Sequence, residues 1–262
     1  IAGLAQNSYH WEWKTEGRAV PIRGIIDKSG NAILVGTIGH PDSLNSRDAF
    51  ILKVKPDGTY FYDTLVANKD TSITYMNVLQ LTNNKYFAIG TTRATTLNNN
   101  TNQIVFINIY DTNLNILQHK QFQLWDLYNS IGYCLMQYDK DSNIINAASA
   151  QRKSGAPINI LDLALIRFTQ EGDTIETRFH HYERNVSVFD FKKIPDSENY
   201  LIIEFITQLF GDFECYVMKP DLTLKTLHYH SSFDYVVHEN IITDYWYPDN
   251  TFLMASSMGY VN

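Results

Sequence analysis

The chain has 262 residues, 44% hydrophobic and 19% charged, which supplies a sizeable core and excludes disorder as the default state. Its net charge of −7, with no basic run of four residues, excludes the clustered Lys and Arg surface that nucleic acid requires. Aromatic residues reach 13%, with 17 Tyr and 14 Phe, and together with Val, Ile and Thr they favour strands over helices.

The first six residues, IAGLAQ, are apolar and small, and the polar NSYHWEWK follows abruptly. This pattern reads as the end of a secretory signal peptide cleaved near Ala5 or Gln6, leaving residues 7–262 as a single exported domain. No apolar run approaches the roughly 20 residues of a membrane-spanning helix. SYHWEWKTEG (8–17) then predicts one isolated strand, on which Trp11 and Trp13 share a face.

Four strands follow in close order: IRGIID (22–27), GNAILVGTI (30–38), DAFILKVKPDGT (48–59) and TYFYDTLV (59–66). The same phrase recurs as MNVLQL, NKYFAIGTT, IVFINIYDTNLN and NILQHKQF between 76 and 122. It returns as GYCLMQYD, SNIINAASA, LALIRFTQEGDT and TIETRFHHY, and again as VFDFKKI, ENYLIIEFI, ECYVMKPDLT and TLKTLHYH. A fifth unit supplies only IITDYWY (241–247) and NTFLMASSM (250–258). Four strands, polar hairpins and a period of about fifty to sixty residues specify an all-β fold, a β-propeller of four-stranded blades. Five blades are expected, the N-terminal strand completing a last blade that is otherwise incomplete, because closure removes a free sheet edge. In this alignment Asn108 and Arg167 occupy the place of Lys53, and Thr112 and Glu171 that of Asp57, so the recurring content of DAFILKVKPDGT is structural.

The phrases GNAILVGTI, DAFILKVKPDGT and KYFAIGTT resemble the repeats of exported bacterial β-propellers of the SBBP or delta kind. IAGLAQ resembles the signal-peptide ends of bacteria with type IX secretion. The resemblance implies a propeller fold, export to the periplasm, outer membrane or exterior, and use as an interaction surface. The third and fourth units depart from the pattern, with Glu204 and Phe205 where Gly-Ser or Gly-Thr is usual.

From these observations the expected function is a non-catalytic scaffold that binds another protein of the cell envelope, without cofactor or metal. The alternatives are a carbohydrate-active enzyme of glycoside-hydrolase type and a glycan-binding lectin. Candidate catalytic residues are Glu204, an acid within an apolar strand, and Asp190, Glu239 and Asp244 on predicted inner strands. Candidate binding residues are the aromatic platforms Tyr245, Trp246 and Tyr247, and Trp11 and Trp13. His228 with His230, and His180 with His181, lie on outermost strands and lack the three or four ligands of a zinc site. Asp139, Asp141 and Asn143 open like a calcium loop, but Ile144 and Ala150 stand where Gly and an acid are required, so a hairpin turn is expected. Cys134 and Cys215 fall in apolar strands and read as buried thiols.

Overall fold

The computed structural model describes residues 17–40, 43–67, 71–94, 104–123, 128–152, 161–181, 186–206, 212–227, 237–246 and 252–259. Among them every regular element is a strand. The first meander is β1 (Ala19–Ile26), β2 (Ala32–His40), β3 (Ser43–Val54) and β4 (Tyr60–Leu65). The second is β5 (Thr71–Gln80), β6 (Tyr86–Ala94), β7 (Ile104–Tyr110) and β8 (Ile116–Gln123). The third is β9 (Tyr128–Tyr138), β10 (Ile144–Arg152), β11 (Leu161–Phe168) and β12 (Thr174–His180). The fourth is β13 (Val186–Lys193), β14 (Tyr200–Ile206), β15 (Asp212–Met218) and β16 (Leu224–Leu227), followed by a pair, β17 (Val237–Trp246) and β18 (Phe252–Gly259).

Within each meander neighbouring strands run antiparallel, and one parallel bridge, Arg47 to Ser72, ties the first to the second. The first strands of successive meanders lie beside one another, β1 by β5, β5 by β9, β9 by β13 and β13 by β17. Inner strands side by side, with sheets radiating from them, make a propeller-like all-β fold; among the described residues no pairing closes the sheets into a ring. Trp11, Trp13 and the predicted N-terminal strand lie outside the described residues.

The core consists of seams between meanders, because the two-residue alternation of a strand gives each sheet two apolar faces. Ile33, Val35 and Ile51 pack against Tyr75, Tyr86 and Phe106. Phe87, Ile89 and Ile107 use the other face of the second meander against Ile144, Ala148 and Ile166. Ala147, Leu163 and Leu165 meet Tyr200, Ile202 and Met218 in the third seam. Each such side chain contributes about 1.5–3 kcal/mol on full burial. The outward face of the first meander keeps Ile26, Tyr60 and Tyr62 exposed, at 71%, 46% and 55%.

Seven hairpins among the described residues repeat one geometry, in which the first turn residue donates to the carbonyl four on and accepts from the amide three on, as Asp27 does with Asn31 and Gly30; the turn from Ile194 to Asn199 is one residue longer. The residue before the last is left-handed, and Gly30, Gly58 and Gly172 fill that place at φ 80, 84 and 80°. Leu114 and Leu222 fill it too, at φ 66 and 61°, although leucine disfavours that conformation. Both leucines are buried, at 4% and 0% exposure, so packing overrides backbone preference.

This geometry fixes the register between units and corrects the sequence alignment at one point. Lys55, Asp111, Thr169 and Lys219 open the four turns between third and fourth strands. Counting back two residues places Ile109 at the position of Lys53 and Arg167, and counting forward places Asn113 at that of Asp57. The turns also reveal a two-meander alternation that the sequence phrases conceal. Gly58 matches Gly172, Leu114 matches Leu222, and Tyr86 and Tyr200 open the equivalent strands β6 and β14.

Candidate functional site

Glu204 sits on β14, pairs with Val188 on one side and Glu214 on the other, and is 0% exposed. Its position corresponds to Gly36, Gly90 and Ala148 in the earlier meanders, counted from Ala32, Tyr86, Ile144 and Tyr200 at the strand starts. It shares a face with Tyr200 and Ile202, which pack on the third meander, so its carboxylate points into that seam, where Leu135 and Val188 of the inner strands also pack. Asp190 pairs with Ile203, after a bulge at Val188/Asp190, and stands on the opposite face. There its Oδ1 accepts from the Phe191 amide at 2.9 Å and its Oδ2 lies 3.5 Å from Lys192 Nζ. Asn77 makes the same bulge contact with Val78, and its Nδ2 reaches the Cys134 carbonyl of the next meander, which shows the direction this position faces. Glu239, Asp244, Tyr245 and Trp246 fall on β17, next to β13, with their side chains outside the described residues; Tyr247 lies wholly outside them.

A cleft of about 420 Å³ opens at the hairpin end of the seam between the third and fourth meanders. Asp139, Asn143, Arg167 and Tyr200 form its inner part, and Glu198 and Asp221 lie at its edge. Asp139 is tied to its own turn: Oδ1 accepts from the amides of Asp141 and Asn143, at 2.9 and 2.8 Å, and Oδ2 from Asn143 Nδ2 at 3.1 Å. The same Asp-x-x-x-Asn clamp recurs at Asp27 with Asn31 and Asp111 with Asn115, so the resemblance to a calcium loop is a hairpin device. Arg167 donates from Nη1 to Glu176 Oε2 at 3.2 Å and from Nη2 to the Pro220 carbonyl, with Nε 3.4 Å from Asp139 Oδ2. Bonds from the Thr223 hydroxyl and amide hold the Asp221 carboxyl below its ordinary range. Asp139 and Asp221 are thus committed to their turns, whereas Glu198 is exposed, 3.5 Å from Lys140 Nζ.

Sequence reasoning missed a polar chain between the first two meanders, buried at Tyr75, Asn108 and Tyr110 and open to the surface at His119. Asn108 Nδ2 donates to the Tyr75 hydroxyl at 2.5 Å, which lies 2.5 Å from the Tyr110 hydroxyl, and His119 Nδ1 is 2.5 Å from Asn108 Oδ1. Asp63 ends the chain through Tyr110; burial pushes its carboxyl upward, as it pushes Tyr110 to about 12. Its residues sit on four strands with no shared spacing, so no motif marks them.

His181 Nδ1 lies 2.9 Å from Asp162 Oδ2 and His180 Nε2 3.3 Å from the Leu222 carbonyl, both structural contacts; His228 and His230 lie outside the described residues. Among the described residues no cluster of three or more His, Cys, Asp or Glu could hold a metal ion. Cys134 and Cys215 are free, buried thiols, raised by burial to about 12 and about 11. Arg178 Nε donates to Glu176 Oε1 at 2.9 Å. No helix among the described residues is long and apolar enough to cross a membrane.

No family model and no curated protein matches the chain. Among solved structures it is similar to an ulvan lyase, a polysaccharide lyase of family PL25 bound to a saccharide, with TM-score 0.55 and 11% identity over 89% of this chain. The match spans 61% of the lyase, less than two thirds of its length. It is also similar to a thermostable family-43 glycoside hydrolase, with TM-score 0.52, 11% identity, and coverage of 92% of this chain and 83% of that one. At this identity the likeness is one of fold. It nevertheless corrects the expectation of a non-catalytic protein-binding scaffold, because the structures sharing the fold are a polysaccharide lyase and a glycoside hydrolase.

Proposed function

We propose that the chain is a carbohydrate-active enzyme that cleaves polysaccharide by hydrolysis, using carboxylates on its inner strands. The observation that supports this reading is the adjacency of β13, which carries Asp190, and β17, which carries Glu239 and Asp244. Hydrolysis of a glycosidic bond needs two such groups, one as acid and one as base or nucleophile. Glu204 is buried on the opposite face of the fourth meander from Asp190 and is not assigned to this pair. The fold likeness to a polysaccharide lyase and a glycoside hydrolase supports the substrate class.

The same reading includes a five-bladed ring, with the fifth unit and the N-terminal strand covering the face that carries Ile26, Tyr60 and Tyr62, and an exported protein. The test is release of reducing ends from a panel of polysaccharides by the full chain, with absorbance of unsaturated sugars recorded in parallel. Reducing ends without unsaturation support hydrolysis; unsaturated products replace hydrolysis with elimination, and no product from any polysaccharide refutes the reading.

A further inference from the structure

The seam between the first and second meanders and that between the third and fourth are built from equivalent positions and end differently. In the earlier seam two side chains bridge the hairpin end. The Tyr86 hydroxyl donates to Asp27 Oδ2 at 2.7 Å, and Gln80 Oε1 accepts from the Lys28 amide at 2.8 Å. Lys53 Nζ lies 5.5 Å from the centre of the Tyr86 ring and donates to the Thr112 carbonyl at 2.9 Å. In the later seam Arg167 keeps the latch, donating to the carbonyl of Pro220, the counterpart of Thr112. Both bridges are altered. Tyr200, the counterpart of Tyr86, donates to the Tyr138 carbonyl at 2.9 Å and leaves Asp139, while Lys193 stands in the place of Gln80. The 420 Å³ cleft lies where the bridges would be, and there an exposed ion pair of 3.5 Å between Lys140 Nζ and Glu198 Oε1 joins the two meanders in their stead.

We propose that this cleft binds one or two uncharged sugar rings, at a site separate from the inner-strand carboxylates. The volume falls within the roughly 300–1,000 Å³ of small-molecule sites. Exposed acceptors Asp141 and Glu198 and exposed donors Lys140 and Lys193 line it together, the pairing that adjacent sugar hydroxyls require. An anionic sugar would meet the acids at short range. Arg167 Nε is buried 3.4 Å from Asp139 Oδ2, and the rest of its guanidinium is fixed by Glu176 and Pro220, so the two side chains make a rigid floor beneath the exposed groups. Asp139, at 7% side-chain exposure, is equally fixed. Ile175 offers an apolar surface to a ring face.

The ligand class rests on the carbohydrate reading above; the opened seam does not. The test is affinity gel electrophoresis of the full chain in soluble neutral glucan, mannan and xylan and in a uronate polymer, with Lys193→Gln and Glu198→Ala, both at exposed positions, beside the wild type. Lys193→Gln installs the residue that closes the earlier seam, at an exposed position, and circular dichroism verifies its fold. A neutral polysaccharide is expected to retard the wild type, with affinity lowered about tenfold in each variant, the worth of one polar contact. Equal retardation of wild type and variants, retardation by the uronate polymer alone, or no retardation would each overturn the site. Reducing-end release from the same polysaccharides keeps the two readings apart. Cleavage with unaltered binding in the variants refutes the cleft alone; binding lost in the variants without any cleavage refutes hydrolysis alone.

Discussion

Tyr86 and Asp27, on different meanders, share a hydrogen bond of 2.7 Å in which the hydroxyl donates to the carboxylate. Burial pushes the Asp27 carboxyl up, but bonds from Asn31, Tyr86 and Ser29 outweigh it and bring it below its ordinary value. A carboxyl depressed in the folded state adds stability that is complete above its unfolded value of about 3.9 and is lost as pH falls through the folded one. Tyr86→Phe should therefore cost about 1–2 kcal/mol at neutral pH and flatten the acid side of the stability profile. Thermal melts from neutral to acid pH check this; parallel profiles for the two proteins would contradict it.

Leu222 holds a left-handed backbone because its side chain is buried in the third seam. Truncation removes that burial whichever residue replaces it, but only glycine relieves the backbone. Leu222→Ala should lose about 2–5 kcal/mol, and Leu222→Gly should lose less, reversing the usual order of the two substitutions. Urea denaturation of both variants measures the order directly.

A methyl group at Gly90 would stand 2.4 Å from the Phe106 ring and 2.5 Å from the Thr74 carbonyl. Gly90→Ala is expected to destabilise by about 1–3 kcal/mol through overpacking. Chemical denaturation tests it, and a variant as stable as the wild type would show that the Phe106 ring yields freely.

Burial of Cys134 and Cys215, with thiols raised to about 12 and about 11, predicts that neither reacts with a thiol reagent in the native protein. Both should label at the rate of unfolding, titrated in urea. Immediate labelling of either in buffer would contradict the burial.

The strands were legible because the hairpins repeat: Asp, Asn and Gly at fixed places mark each turn, and apolar alternation fills the intervals. The alignment slipped at Asn108 because a turn built on Leu114 carries no glycine to mark its place. The same substitution hid the two-meander alternation, since a buried leucine and a glycine do not look alike in a sequence. Glu204 stood out correctly as an acid among apolar residues, yet its face could not be read: the bulge at Val188/Asp190 shifts the register and separates it from Asp190. The cleft was invisible because Asp139, Arg167 and Tyr200 come from separate strands and turns, joined only by the stacking of meanders.

The most direct measurement is reducing-end release from neutral polysaccharides by wild type, Asp190→Asn and Glu204→Gln. An inner-strand carboxylate mechanism predicts release by the wild type, a loss of about a hundredfold or more in Asp190→Asn, and a rate within an order of magnitude of wild type in Glu204→Gln. Equal rates in Asp190→Asn and wild type, or no release from any polysaccharide, would contradict it.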